Sequence, residues 1–156
     1  MRCARGCPSG RRSASPCPQP WQGGGGSLPE YEYLVDSSIL IGRVRRQEPP
    51  RIILNELAES ACALSVLTRV EVLTGANPGG DQWARELTDS FPSLPVDQAT
   101  ADLAAELGWR HRMNLAGKTV DLCIAATAIR HGLVLVTLNT RDFSIPELTL
   151  YPVPTP

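Results

Sequence analysis

The sequence predicts an α/β fold in which a central, mostly parallel β-sheet is flanked by helices. Short apolar runs alternate along the chain with segments of helical periodicity, which is the pattern of strands joined by crossover helices. The clearest strand candidate, Leu133-Val-Leu-Val-Thr137, is apolar at four of its five positions, as in parallel strands that are buried on both faces. The 156 residues are enough for one ordinary domain and too few for two.

The first strand and helix begin where the composition changes, at Tyr31. The run 31–36 predicts a short apolar strand that ends on an acid, Asp36. Ser37 and Ser38 are expected to cap a helix over 39–45, because serine hydroxyls accept hydrogen bonds from the first backbone N–H groups of a helix.

A second helix, strand and helix are expected to follow. Two consecutive prolines break the chain and can open a helix from 50 to about 59. A second strand is expected over 61–67. Thr68 and Glu71 have capping-box spacing, which predicts a short helix that Gly75 stops.

The C-terminal half has the same alternation. We expect a helix from Asp81, as its cap, to about 90, an extended piece over 94–96, and a long helix from its cap Asp97 to about 113. We further expect a helix that starts at Thr119 and is closed by Gly132, the strand 133–137, and an edge piece over 148–151.

The N-terminal segment differs from the rest of the chain. Residues 1–29 contain six of the 13 glycines and five of the 14 prolines, with almost no aliphatic side chains. Such a segment buries too little apolar surface to offset its loss of conformational entropy. We therefore predict a disordered Gly/Pro/Arg-rich extension over 1–29, or upstream sequence translated from a mis-assigned start, and a folded domain over 30–156.

Charge and hydropathy limit the partners of this domain. Beyond residue 28 the chain has 11 basic and 16 acidic residues, which argues against binding nucleic acid through net charge but leaves room for local basic strips. No apolar run approaches the roughly 20 residues needed to span a bilayer. We expect a cytoplasmic protein without a membrane partner.

Four acids are expected to meet at one edge of the sheet. Asp36 closes the first strand, Glu71 lies shortly after the second, Asp142 follows the strand 133–137, and Asp121 opens the preceding helix. In parallel sheets, ligands bind outside the carboxyl ends of the strands. The four acids at those positions are therefore the first candidates for a functional site.

Each acid also has a purely structural interpretation. Asp36 could cap a helix, Glu71 could complete a capping box, and Asp142 could form a turn with its own backbone. A carboxylate at Asp121 is stabilised by the helix dipole. However, Ile124, Ala125, Ala128 and Ile129 form an apolar stripe on the face that Asp121 shares, which capping does not explain.

A cluster of carboxylates requires a positive charge nearby. Two unit charges 4 Å apart repel by about 4 kcal/mol at an effective dielectric constant of 20. Mg²⁺, or alternatively Mn²⁺, prefers oxygen ligands and is commonly held by a few carboxylates together with substrate phosphates. The predicted cluster therefore suits phosphoryl chemistry.

At these residues the chain resembles the PIN-domain ribonucleases, and more narrowly the toxin component of bacterial VapBC toxin–antitoxin pairs. The resemblance spans 31–152. Its motifs occur in the family's order: Tyr33-Leu-Val-Asp36-Ser-Ser, Ser65-x-Leu-Thr68-x-x-Glu71-x-Leu-x-Gly75, Asp121-x-x-Ile-Ala-Ala-Thr-Ala128 and Thr137-x-Asn139-x-x-Asp142-Phe143.

The resemblance implies a PIN-like nuclease domain over 30–156 that hydrolyses RNA phosphodiester bonds with Mg²⁺. It implies an acidic metal cluster of Asp36, Glu71, Asp121 and Asp142, supported by the polar groups of Ser37, Thr137 and Asn139. It also implies a homodimer and a cognate antitoxin that blocks the acidic pocket.

Six basic residues are candidates for contacts to RNA phosphates, although charged runs are more often solvated helix faces. They are Arg43, Arg45, Arg46, Arg69, Arg112 and Lys118. Trp83 and Trp109 lie in helical patterns and are interpreted as packing residues rather than as platforms on which bases stack.

Three other functions stay open at this point. His111 and His131, with Glu71, could supply the general acid and base of a metal-independent ribonuclease. Asp36 or Asp121 could accept a phosphoryl group, although Lys118 is the chain's only lysine and a poor match to such a site. The chain could also be a catalytically silent α/β binding module.

Overall fold

The computed structural model describes residues 31–57, 61–75, 82–112 and 117–153, and these contain four strands and six helices. In chain order they are β1 (Tyr33–Val35), α1 (Ser37–Val44), α2 (Pro50–Glu56), β2 (Cys62–Ser65), α3 (Val66–Gly75), α4 (Gln82–Asp89), β3 (Ser93–Leu94), α5 (Gln98–Arg110), α6 (Thr119–His131) and β4 (Val134–Val136). Strand and helix alternate as the sequence predicts.

The strands form one parallel sheet in the order β3-β2-β1-β4. Val35 of β1 pairs with Leu64 of β2 on one side and with Val136 of β4 on the other. Leu150 adds a single parallel bridge to Leu135, which confirms the expected edge piece. Strands β1, β2 and β4 therefore end at nearly the same level, and the residues that follow them lie along one edge.

Helices cover both faces of the sheet. Successive strand residues point to opposite sides, so each face presents apolar side chains that the helices bury. Leu34 and Leu135 pack with buried residues of α5 and α6. The next residues, Val35 and Val136, pack with buried residues of α1 to α4 on the other face. Among the described residues, no helix has both the length and the apolar character that crossing a membrane requires.

Two helix starts differ from the sequence prediction. Asp36, rather than Ser37 or Ser38, caps α1, because its carboxylate accepts the Ser38 N–H and lets the helix begin at Ser37. Strand β2 ends at Ser65, two residues earlier than expected, and the Ser65 hydroxyl accepts the Leu67 N–H at 3.3 Å.

The predicted capping box at Thr68 and Glu71 is wrong for the same reason. Because α3 begins at Val66, both residues lie inside the helix. The buried Thr68 hydroxyl has no hydrogen-bond partner among the described residues, so it caps nothing. The structural explanation for an acid at position 71 is therefore removed.

The helices α5 and α6 begin where the sequence predicts. Asp97 caps α5, and α6 runs from Thr119 to a left-handed Gly132 with φ of 66°. A side chain at this φ would be strained, which is why glycine closes the helix. Helices α2 and α5 end at Glu56 and Arg110, about three residues before the expected ends near 59 and 113. The expected cap Asp81 and the extension 1–29 lie outside the described residues.

Asp97 joins α5 to α6 and makes stability depend on pH. Its Oδ1 accepts the Thr100 N–H at 2.9 Å and also binds the Arg130 guanidinium of α6. The hydrogen bond from Arg130, followed by those from Thr100, holds the pKa of Asp97 far below its usual range. A lowered folded-state pKa contributes stability that is present above the unfolded pKa and is lost as pH falls through the folded value.

We expect Asp97→Asn to lower the melting temperature by a few degrees at pH 7, with the gap to wild type closing below about pH 4, near the unfolded pKa of aspartate. Asparagine keeps the helix cap, so the variant isolates the charge, and Asp97→Ala should be worse because it loses both. Thermal unfolding from pH 7 to pH 2.5 measures this. Parallel curves for wild type and Asp97→Asn across that range would contradict the assignment.

Candidate active site

Asp36 and Thr137 meet at the carboxyl ends of β1 and β4. Both follow paired valines in the register, and both are buried, with Asp36 only 3% exposed. The Thr137 hydroxyl donates to Oδ2 of Asp36 at 2.8 Å. The same hydroxyl accepts the Asn139 N–H at 3.0 Å. Thr137 therefore fixes both the buried carboxylate and the start of the loop that carries Asp142.

Ser38 is a supporting residue that the sequence interpretation treated only as a helix cap. Its hydroxyl donates to Oδ2 of Asp36 at 2.7 Å and accepts the Leu138 N–H at 3.0 Å. The hydrogen bonds from Ser38 and Thr137 thus converge on the same oxygen of Asp36 and leave Oδ1 for another ligand. A serine two residues after a strand-ending acid, facing a neighbouring parallel strand, is the signal for this role.

Glu71 faces this edge from the second turn of α3. Burial raises its pKa, the Ser37 hydroxyl lowers it by hydrogen bonding to the carboxylate, and the charges of Asp36 and Asp121 raise it further. The net shift is upward. The acid that the Ser37 hydroxyl contacts is therefore Glu71.

Asp121 joins the cluster from the first turn of α6. Its pKa is raised first by burial, then by the charges of Asp142 and Asp36, and lowered in part by Lys118. Residues 124–128 are all buried, so the centre of α6 is enclosed on every side and the apolar stripe does not single out the face that Asp121 shares. The placement of Asp121 follows from the position of the α6 N-terminus at this edge.

Asp142 lies in the loop after β4, held by a turn. Its N–H donates to the Asn139 carbonyl at 3.0 Å, and its Oδ1 accepts from the Lys118 ammonium at 2.8 Å. Asn139 acts here through its backbone, since its side chain is exposed. The four acids predicted from the sequence thus lie within electrostatic reach of one another in the pairs that the structure describes.

The donor set of this edge fits a hard divalent cation. The four acids supply only carboxylate oxygens, which is the ligand type that Mg²⁺ and Mn²⁺ prefer. Within the described residues, no three acidic, histidine or cysteine side chains have the spacing of a complete metal site. The fit therefore rests on ligand chemistry and on charge, because burial and like charges both raise the pKa of Glu71 and Asp121.

The basic candidates lie in different places. Arg45 and Arg46 follow the far end of α1, about 12 Å along the helix from Asp36. Arg43 lies over the Trp83 ring at 5.3 Å, and Arg69 pairs with Asp89. Lys118 contacts the acidic cluster directly. Arg112 lies in the turn after α5, with φ of 50°.

The interpretation of Trp109 as a packing residue is wrong. Its side chain is 83% exposed on α5, so it contributes little to the core, and Trp83 is 44% exposed beside Arg43. Helical periodicity placed the two residues on α4 and α5 but did not identify which face of each helix the core covers.

The two histidines are not part of the cluster. His111, the C-cap residue of α5, contacts Glu147 at 2.9 Å between its Nε2 and Oε2 of the carboxylate. His131 ends α6, about 15 Å along the helix from Asp121. Burial lowers the pKa of His131. This separation disfavours a histidine-based acid and base acting at the carboxyl edge.

Known proteins share this fold. The family model of the PIN domain matches residues 33–146. A chain of a toxin–antitoxin complex from Klebsiella pneumoniae has a TM-score of 0.66 and 29% identity, over 78% of this chain and 100% of that chain. FitAcB from Neisseria gonorrhoeae has a TM-score of 0.63 and 24% identity, over 77% of this chain and 96% of that chain. DNA-bound VapBC from Salmonella typhimurium has a TM-score of 0.62 and 24% identity, over 78% of this chain and 97% of that chain.

No curated protein matches the sequence closely enough to count as a relative. The PIN model nevertheless covers well over half of the chain, from β1 to the loop after β4, and includes all four acids. The chain therefore belongs to the PIN domain family.

Proposed function

We propose that this chain is a metal-dependent endoribonuclease that acts as the toxin of a toxin–antitoxin pair. The observation that carries the proposal is the convergence of Asp36, Glu71, Asp121 and Asp142 at the carboxyl edge of the sheet, where burial and mutual charge raise the pKa of two of them. Capping accounts for Asp36, which caps α1, but not for Glu71, which lies inside α3 rather than in a capping box.

Asp36, Asp121 and Asp142 are the residues that would hold Mg²⁺ or Mn²⁺, with Glu71 completing the set. A bound divalent cation supplies charge neutralisation at the scissile phosphate and activation of water. Asp36 is prepared for this role, because Thr137 and Ser38 hold its Oδ2 and leave Oδ1 toward the edge.

The remaining work falls to the chain's own polar groups. Ser37 orients Glu71, and the turn from Asn139 to Asp142 sets the position of the loop acid. Lys118, beside Asp142, is the positive group best placed for a substrate phosphate. Hydrogen bonds that hold a buried carboxylate in place reduce the reorganisation free energy of the site during the reaction.

The proposed partner is an antitoxin protein. The support comes from the solved structures with this fold, which include a toxin–antitoxin complex from Klebsiella pneumoniae at 29% identity. A cognate antitoxin would block the acidic edge with a basic side chain, since positive charge is what the cluster of carboxylates requires. We also propose a homodimer as the working form.

The test is an RNA cleavage time course with the full chain, using a set of structured and single-stranded RNAs. We expect cleavage with Mg²⁺ or Mn²⁺ and none with EDTA. Cleavage that survives EDTA would overturn the metal-dependent proposal and favour chemistry at His111 or His131. Intact RNAs with a folded protein that binds Mn²⁺ without turnover would favour a catalytically silent binding module.

A further inference from the structure

Lys118 sits at the acidic edge as a paired cation. Its ammonium donates to Oδ1 of Asp142 at 2.8 Å, and it is the only lysine in the sequence. The residue precedes the first turn of α6, so it lies three positions before Asp121. Both side chains of the ion pair stay partly open to solvent, at 34% and 45% exposed.

Lys118 is the described cation that contacts the acidic cluster. Its charge lowers the pKa of Asp121, whereas no positive group among the described residues shifts the pKa of Glu71. The nearby candidates Arg43 and Arg69 interact with Trp83 and Asp89 instead. Lys118 therefore supplies positive charge at this edge, and it does so through an oxygen that a divalent cation would use.

We infer that Lys118 is an internal counter-ion of the acidic cluster that competes with the divalent cation for Asp142 and, once displaced, pairs with a phosphate of the RNA. The inference rests on the proposed function and deepens it. A cation bound at Asp142 repels an ammonium on the same carboxylate, so the two cannot share Oδ1. The exposed ion pair is weak enough to exchange, since exposed pairs are worth about 1 kcal/mol or less.

The experiment is a calorimetric titration of Mn²⁺ into wild type, Lys118→Met and Lys118→Arg. Methionine keeps an unbranched apolar stem and removes the charge, whereas arginine keeps the charge. We expect Lys118→Met to bind Mn²⁺ about two- to fivefold more tightly than wild type, in line with the loss of an exposed ion pair. Lys118→Arg should stay near wild type.

Cleavage kinetics at saturating Mn²⁺ provide the second readout. Because the displaced ammonium pairs with RNA, Lys118→Met should raise KM severalfold with kcat changed much less, and Lys118→Arg should restore KM. Arg51→Met is the matched control. Arg51 lies on α2 and forms an exposed ion pair with Glu48, so its loss removes one charge and should change neither the Mn²⁺ affinity nor KM.

The outcomes separate the two proposals. Unchanged or weaker Mn²⁺ binding by a folded Lys118→Met protein would overturn the competition and assign Lys118 to holding Asp142 in place. If wild type binds Mn²⁺ and cleaves RNA while the kinetics of Lys118→Met match it, the inference on Lys118 fails alone. If wild type neither binds Mn²⁺ nor cleaves RNA, the proposed function fails as well.

Discussion

Asp121→Asn is expected to reduce RNA cleavage by at least about 100-fold, which corresponds to about 2.7 kcal/mol of transition-state stabilisation. The substitution replaces a carboxylate oxygen with an amide N–H₂ group, which cannot bind a cation. Initial rates at several Mg²⁺ concentrations measure the effect. High Mg²⁺ should not restore the rate if Asp121 is a ligand.

The same substitution should stabilise the folded protein in the absence of divalent cations. Burial and the charges of Asp142 and Asp36 raise the pKa of Asp121. An acid with a raised folded-state pKa costs stability once the pH exceeds its unfolded value, so at pH 7 the neutral amide removes that cost. We expect a gain of up to about 1 kcal/mol, reduced by solvent because the group is only half-buried.

The control is Asp102→Asn, which neutralises an exposed acid on α5 away from the cluster and should leave cleavage and melting temperature unchanged. Added Mn²⁺ should raise the melting temperature of wild type and of Asp102→Asn more than that of Asp121→Asn, because ligand binding stabilises only a folded state that binds it. Wild-type cleavage by Asp121→Asn would show that Asp121 is not a metal ligand.

Thr137→Val is expected to be the most damaging change among the supporting residues. Valine matches threonine in shape but lacks the hydroxyl that donates to Asp36 and accepts the Asn139 N–H. Loss of a buried hydrogen bond to a charged group costs about 1.5–3 kcal/mol. Loss of a group that orients a metal ligand also lowers activity by roughly 10–100-fold.

Thr88→Val provides the control for Thr137→Val. Thr88 is also fully buried, but its hydroxyl donates to carbonyls of its own helix, Ala84 and Arg85, and has no contact with the site. It should lose little stability and no activity. Thr137→Ser should recover most of the activity. Equal activity in Thr137→Val and Thr88→Val would remove Thr137 from the site.

The α/β fold was predictable because its signals are local or periodic. The apolar strands, the cap at Asp97 and the left-handed Gly132 are readable from a few neighbouring residues. The starts of α1 and α3 were misplaced because several adjacent residues could cap each helix. The choice depends on tertiary contacts such as the hydrogen bond from Thr137 to Asp36.

The four acids could be named from the sequence because parallel strands place their carboxyl ends at one edge. The residues that contact those acids could not all be named in the same way. Lys118 contacts Asp142 across 24 residues, and Ser38, although only two residues from Asp36, is held by the Leu138 N–H, which lies 100 residues away. Nothing in local spacing specifies such a contact. The exposure of Trp109 was likewise invisible, since it depends on which face of α5 the core covers.

The most direct test of the acidic metal site is an anomalous difference map from crystals of the protein soaked in Mn²⁺. We expect a peak at the carboxyl edge of the sheet, about 2.1 Å from carboxylate oxygens of Asp36 and Asp121, which is the distance at which small divalent cations bind oxygen. A peak elsewhere, or none at this edge at a concentration that supports cleavage, would contradict the assignment of these carboxylates as the site of the reaction.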